Sequence, residues 1–166
     1  IYIGYEEAHP EMYEACKASI ERFSKLHVIR PLRKRVLQDS GVYTREYQGE
    51  ATDFAFTRFL VPYLQDFTGY ALFCDGDFLW RSDPAELEQY QDEMEIDADY
   101  VNEAPAGDLH GFKWTGEIGS LPATYNNMIG YYDIHQPKAV HFTDGGPWLK
   151  GYEDVPYADE WRTVLE

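Results

Sequence analysis

Apolar and polar positions alternate from the start of the chain. Ile1, Ile3 and Tyr5 are separated by Tyr2 and Gly4, and this period of two predicts a strand with Glu6, Glu7 and His9 at its C-terminal end. From Pro10 the period lengthens. Met12, Ala15, Cys16, Ile20 and Phe23 recur every three or four residues, which predicts an amphipathic helix with proline in its first turn. Leu26 to Leu32, with Val28 and Ile29 ahead of Arg30 and Pro31, predicts a second strand and so a βαβ start. Thr52 can cap a helix whose apolar face is Phe56, Phe59, Leu60 and Tyr63, stopped or kinked near its C-terminal end by Pro62. After Gly69 and Tyr70, Ala71 to Cys74 form a short continuous apolar run, the pattern of a strand buried on both faces. Ala139 and Val140 predict a last strand that ends at His141.

Elsewhere the pattern is weak. Glu86 to Asp108 carries nine acids and little apolar periodicity, and reads as loop or solvated helix. Within it Asp97-Ala98-Asp99 has no apolar strand leading into it and reads as a charged surface turn. Phe112 to Trp114 form an aromatic loop. Tyr125-Asn126-Asn127 open a short element through Met128, Ile129, Tyr131 and Tyr132, where the Asn and Tyr side chains suit hydroxyl recognition or turn capping. There is no internal repeat and no Pro-rich or Gly/Ser linker. The 166 residues predict one α/β domain: 1–87 as its first half, 88–110 as an acidic connector, and 111–166 as its second half.

Composition narrows the function. Thirty acids against fourteen bases give a net charge of −16, a field that repels nucleic acid and anionic membrane surfaces. A phosphorylated substrate would need a local cation and a few well-aimed bases. Arg33, Lys34, Arg35 and Arg45 make the one cationic patch, open to reading as a solvated or a phosphate-facing loop. Cys16 and Cys74 stand in apolar contexts without metal-ligand spacing and read as small core residues. Nothing looks like a signal peptide, and no apolar run approaches the ~20 residues of a membrane helix; a cytoplasmic protein is expected.

The candidate chemistry gathers where the apolar run 71–74 ends. Asp75 and Asp77 are two apart on an extended strand end and so share a face, with Gly76 permitting close approach of backbone or ligand. Two carboxylates against a buried strand cost desolvation unless a cation or donors compensate, and hard cations such as Mn²⁺ or Mg²⁺ take such oxygen ligands beside substrate phosphates. Arg58, on an aromatic helix shortly upstream, would be costly to bury unpaired and is expected to reach these carboxylates or their ligand. His141 at a strand end can complete a metal shell. Gly145 and Gly146 in the loop that follows can leave backbone amides facing an anion.

Together these pieces resemble the GT-A glycosyltransferases that use nucleotide-sugar donors, and look most like glycosyltransferase family 8. Asp75-Gly76-Asp77 matches the DxD metal motif, Ile1 to Glu7 is similar to the nucleotide-base strand, and the helix of Arg58 and Pro62 looks like the donor-contacting helix. Leu121-Pro122 through Tyr125-Asn126 is similar to the segment that builds the acceptor side. His141 followed by Gly145, Gly146, Pro147 and Trp148 looks like the C-terminal motif whose His is the third protein ligand to Mn²⁺.

The resemblance implies a Rossmann-like mixed sheet flanked by helices. It implies a hexosyltransferase with a metal site of Asp75, Asp77 and His141, a UDP-sugar donor, and a glycan, lipid-linked or small-molecule acceptor that could bring the protein to a membrane. It further implies donor contacts from Tyr5, Glu6, Arg58, Gly76, Gly145, Gly146 and Trp148, and retention of anomeric configuration. Should the enzyme invert, Glu117, Asp133 and Asp144 are the candidate bases. Two departures stand out. Gly146 occupies the position of a diphosphate-contacting Lys, which leaves Arg58 or Lys150 for that contact. The region near Tyr90 to Asp99 is also short for this fold, as though reduced or missing a central segment. A sugar nucleotidyltransferase and a metal-dependent carbohydrate-binding module are the rival readings.

Overall fold

The computed structural model describes residues 1–90, 96–116 and 118–166. Strand β1 (Tyr2–Gly4) leads into helix α1 (Pro10–Glu21) and back to strand β2 (Arg30–Leu32), which pairs parallel to β1 with Tyr2 opposite Arg30. Helix α1 starts at proline and buries Met12, Ala15, Cys16 and Ile20 at helical spacing, each large side chain contributing about 1.5–3 kcal/mol of transfer energy. Ser19 joins this helix to the next layer: its hydroxyl donates to Cys16 O and accepts from Trp80 N.

Strand β2 is shorter than the expected Leu26 to Leu32. Leu26 and Val28 are 92% and 64% exposed, and pairing begins only at Arg30. Pro31 is tolerated because β2 is the edge strand of the order β2-β1-β3. The basic segment is helical only at its start: helix α2 (Lys34–Asp39) precedes a loop, Lys34 pairs with Glu50, and Arg45 is buried against the carbonyls of Val101 and Ala104.

Around Arg58 the chain forms a 3₁₀ turn, Thr57–Leu60, that runs into helix α3 (Val61–Leu64). Thr52 does not cap it, and Pro62 lies in the first turn of α3, where a missing N–H costs nothing, rather than near its end. Strand β3 (Phe73–Cys74) pairs parallel to β1, with Ile3 opposite Cys74. It is only partly covered, since Ala71, Leu72 and Phe73 are half-buried. Cys16 and Cys74 are free and buried with sulfurs 3.8 Å apart.

Strand β4 (Phe78–Trp80) opens a second sheet of order β4-β6-β5. The acidic stretch then supplies core. Helices α4 (Ala98–Glu103) and α5 (Ala106–His110), with the flanking Ile96 and Ala104, bury Val101 and Leu109 against Phe56, Phe59 and Leu60. Asp97 caps α4 by accepting from Tyr100 N at 2.8 Å, so the second acidic pair starts a helix. Strands β5 (Asn127–Met128) and β6 (Ala139–His141) pair parallel, while β6 runs antiparallel to β4 with Phe78 opposite His141. Helix α6 (Ala158–Thr163) closes the far side through Trp161. No helix among the described residues is long and apolar enough to cross a membrane.

Candidate metal centre

Asp75-Gly76-Asp77 is the junction between the two sheets. Asp75 leaves the end of β3, and Asp77 O accepts from Phe142 N at 3.1 Å, extending the β4–β6 pairing by one step. Gly76 is required by backbone, since a Cβ there would stand 2.4 Å from Gly4 O at the end of β1. The close approach anticipated at this glycine is therefore that of another strand.

The antiparallel register places His141 across from Phe78, one residue beyond Asp77. Its ring lies against Phe78 with centroids 4.5 Å apart. Nε2 stands 3.3 Å from Asp77 Oδ1 and 3.8 Å from Asp75 Oδ2, and one ligand atom from each of the three side chains falls within 4.8 Å of the others. All three side chains are mostly buried. Nδ1 of His141 donates to Asn126 Oδ1 at 2.9 Å, which puts the ring proton on that side and leaves Nε2 with a lone pair. Asp77 Oδ1 is buried and has no hydrogen-bond partner. Three lone-pair donors thus converge on one point with a desolvated oxygen left unsatisfied, an arrangement that is costly alone and is relieved by a divalent cation.

Arg58 sits beside this cluster as expected, its guanidinium 3.1 Å from Asp75 Oδ1 and packed over the rings of Phe54 and Phe73. Burial pushes the Asp75 carboxyl above its ordinary value; Arg58 opposes that shift and the Asp77 charge adds to it. Two carboxylates against one guanidinium leave the corner net negative. It opens into a cavity of about 480 Å³ that is also lined by Thr52, Phe54, His110 and Thr143, within the usual size range of small-molecule sites.

The other anticipated residues are placed differently. Tyr5 is buried between Tyr13 and the Arg33 guanidinium, the latter 4.0 Å from its ring. Glu6 accepts from Asp53 N, and burial together with the Asp53 charge raises its carboxyl above the ordinary value. Gly145 N donates to Phe142 O, so that amide is committed within the loop. Gly146 makes room for the Trp148 ring, which a Cβ would meet at 2.1 Å, and Trp148 packs with Phe142 and Trp161 in the core. Lys150 is exposed on the following turn. Glu117 lies outside the described residues. Asn126, weighed in sequence for hydroxyl recognition or capping, holds the histidine instead. His110 and Thr143 were not singled out; nothing in their spacing brings them to Asp75.

No protein-family profile matches the chain. Protein CDI of Arabidopsis thaliana is 32% identical to it over 221 residues, covering 100% of this chain and 85% of the relative. The chain belongs to the CDI family. Because that match runs over 221 residues against the 166 of this chain, the CDI relative carries internal residues with no counterpart here. The fold of this chain is similar to that of solved glycosyltransferases. The apo form of GlyE from Streptococcus pneumoniae TIGR4 superposes with a TM-score of 0.62 at 14% identity, covering 98% of this chain and 59% of GlyE. The apo structure of the bifunctional glycosyltransferase WbbM gives 0.68 at 14% identity, covering 99% of this chain and 49% of WbbM. The chain therefore spans only half to three-fifths of those proteins, and what it shares with them is the fold.

Proposed function

We propose that this chain is a metal-dependent glycosyltransferase of the family 8 type, which moves a hexose from a nucleoside-diphosphate sugar, UDP-linked, to an acceptor hydroxyl with retention of configuration. The observation that carries the reading is the convergence of Asp75, Asp77 and His141 around an unsatisfied Asp77 oxygen, with Arg58 alongside, in a glycosyltransferase fold.

Asp75, Asp77 and the free Nε2 of His141 would hold Mn²⁺ or Mg²⁺, and Asn126 keeps the histidine in the tautomer that offers that lone pair. When bound, the cation supplies Lewis-acid neutralisation of the departing diphosphate. Arg58 adds a second positive charge at the same place. In the transfer the bond from the anomeric carbon to the phosphate oxygen breaks and a bond to the acceptor oxygen forms. The acceptor's hydroxyl proton passes to the released phosphate, so retention asks for no separately positioned carboxylate base. The cavity beside the cluster fixes the reactants next to one another, which removes much of the entropic barrier.

The test is turnover. Purified protein with Mn²⁺ and a UDP-hexose panel should release UDP, slowly by hydrolysis and faster with a suitable acceptor, and Asp77→Ala should abolish release. Absence of release for the whole panel, with the sugar nucleotide still bound, would favour a carbohydrate-binding role.

A further inference from the structure

The end of α5 contributes a further polar group to the cavity. His110 lines it together with Arg58, Asp75, Asp77 and His141. Its imidazole is held by ring contacts with Phe56 and Phe59, at centroid distances of 5.2 and 5.5 Å. Phe59 is braced in turn by Phe112 and Trp114. The ring is thus fixed in position, yet among the described residues neither nitrogen makes a hydrogen bond. Partial desolvation of this exposed ring against the aromatic wall, reinforced by the Arg58 and Arg45 charges, lowers its proton affinity, and the neutral imidazole offers one N–H donor and one lone-pair acceptor.

That pair of roles is what a sugar hydroxyl offers in return. A phosphate accepts only, and Arg58 already serves it. His110 is exposed at this cavity, whose wall mixes Phe54 and Phe56 with polar side chains, so a ring held by aromatic packing presents both nitrogens to whatever the cavity holds. We infer that His110 is a specificity-determining residue that hydrogen-bonds a hydroxyl of the hexose carried by the nucleotide. This rests on the glycosyltransferase reading above, because a diphosphate held at Asp75, Asp77 and His141 brings its sugar into the same cavity.

The test titrates UDP, UDP-glucose and UDP-galactose, each with Mn²⁺, into wild type, His110→Phe and His110→Gln. His110→Phe keeps an aromatic ring against Phe56 and Phe59 and removes both polar atoms; His110→Gln keeps a donor and an acceptor. Loss of one neutral hydrogen bond should weaken the UDP-hexose by about fivefold in His110→Phe, with UDP affinity unchanged and part of the loss recovered in His110→Gln. Equal weakening of UDP and UDP-hexoses, or UDP-hexose affinities that do not move, would overturn the assignment. Failure of folded wild type to bind UDP at all would overturn the underlying reading at the metal corner, a result separable from any failure at His110.

Discussion

Replacing Gly76 with alanine is the most revealing single perturbation of the site, because it adds one methyl group at the junction of the two sheets. The added Cβ would lie 2.4 Å from Gly4 O, and contacts of this kind essentially never fall under 3.0 Å. The obstacle is backbone of β1, fixed by pairing with β2 and β3 on either side, so it cannot swing away as a side-chain tip would. Overpacking of this kind costs about 1–3 kcal/mol, and a backbone obstacle places Gly76→Ala at about 3 kcal/mol. For a chain of this size that lowers the melting temperature by roughly 6–12 °C. Because the flanking residues are Asp75 and Asp77, the same displacement should spread the carboxylates and weaken Mn²⁺ binding even where the protein remains folded. Gly107→Ala is the control. It lies in α5 with nothing within 4 Å of its Cβ position, and should stabilise slightly, by up to about 1 kcal/mol. Thermal denaturation and Mn²⁺ titration of both variants decide the matter. A Gly76→Ala protein as stable as wild type with unchanged Mn²⁺ affinity would refute the reasoning.

Two further outcomes are expected. Asn126→Leu removes the acceptor that fixes His141 and should weaken Mn²⁺ binding by about 10–100-fold, with Asn126→Asp recovering most of it in the same calorimetric titration; an unchanged Asn126→Leu would mean that the contact is incidental. Glu50, 4% exposed and 2.8 Å from Lys34 Nζ, is pushed up by burial, but its hydrogen bonds with Lys34 and backbone amides outweigh that and hold its carboxyl below the ordinary 4.5. A depressed carboxyl contributes stability above its unfolded value and loses it as pH falls through the folded one. Glu50→Gln should therefore cost about 2 kcal/mol near neutrality, with the urea midpoints of the two proteins converging below pH 4.5; parallel midpoints across that range would show that the pair contributes nothing.

The meeting of Asp75, Asp77 and His141 was legible in sequence because its parts obey short-range rules. An apolar run ending in two acids two residues apart places both at one strand end, and a histidine closing another strand can lie across from them. What sequence could not supply was the register, Phe78 opposite His141, that turns these facts into one site. Arg58 was legible through the cost of burying it unpaired. Arg45 was not, because the carbonyls of Val101 and Ala104 to which its Nη1 donates come from more than fifty residues away. The acidic stretch concealed core residues for a related reason. Val101 and Leu109 are divided between two short helices with Ala104 just past the end of the first, and neither is long enough to build a visible period. Strand β2 was drawn too long because Val28 and Ile29 look more strand-like than Arg30-Pro31-Leu32, whereas pairing with β1 covers only the latter. Of the last-loop glycines read as an anion cradle, Gly145 donates its N–H to Phe142 O and Gly146 lies against the Trp148 ring.

The central claim is that Asp75, Asp77 and His141 form a cation site that holds a nucleoside diphosphate. Its most direct test is calorimetric titration of UDP into wild type with Mn²⁺, into wild type with EDTA, and into Asp75→Ala with Mn²⁺. Binding present in the first and lost in the other two is the predicted result. Equal UDP binding with and without the metal, or none by folded wild type in its presence, would contradict it.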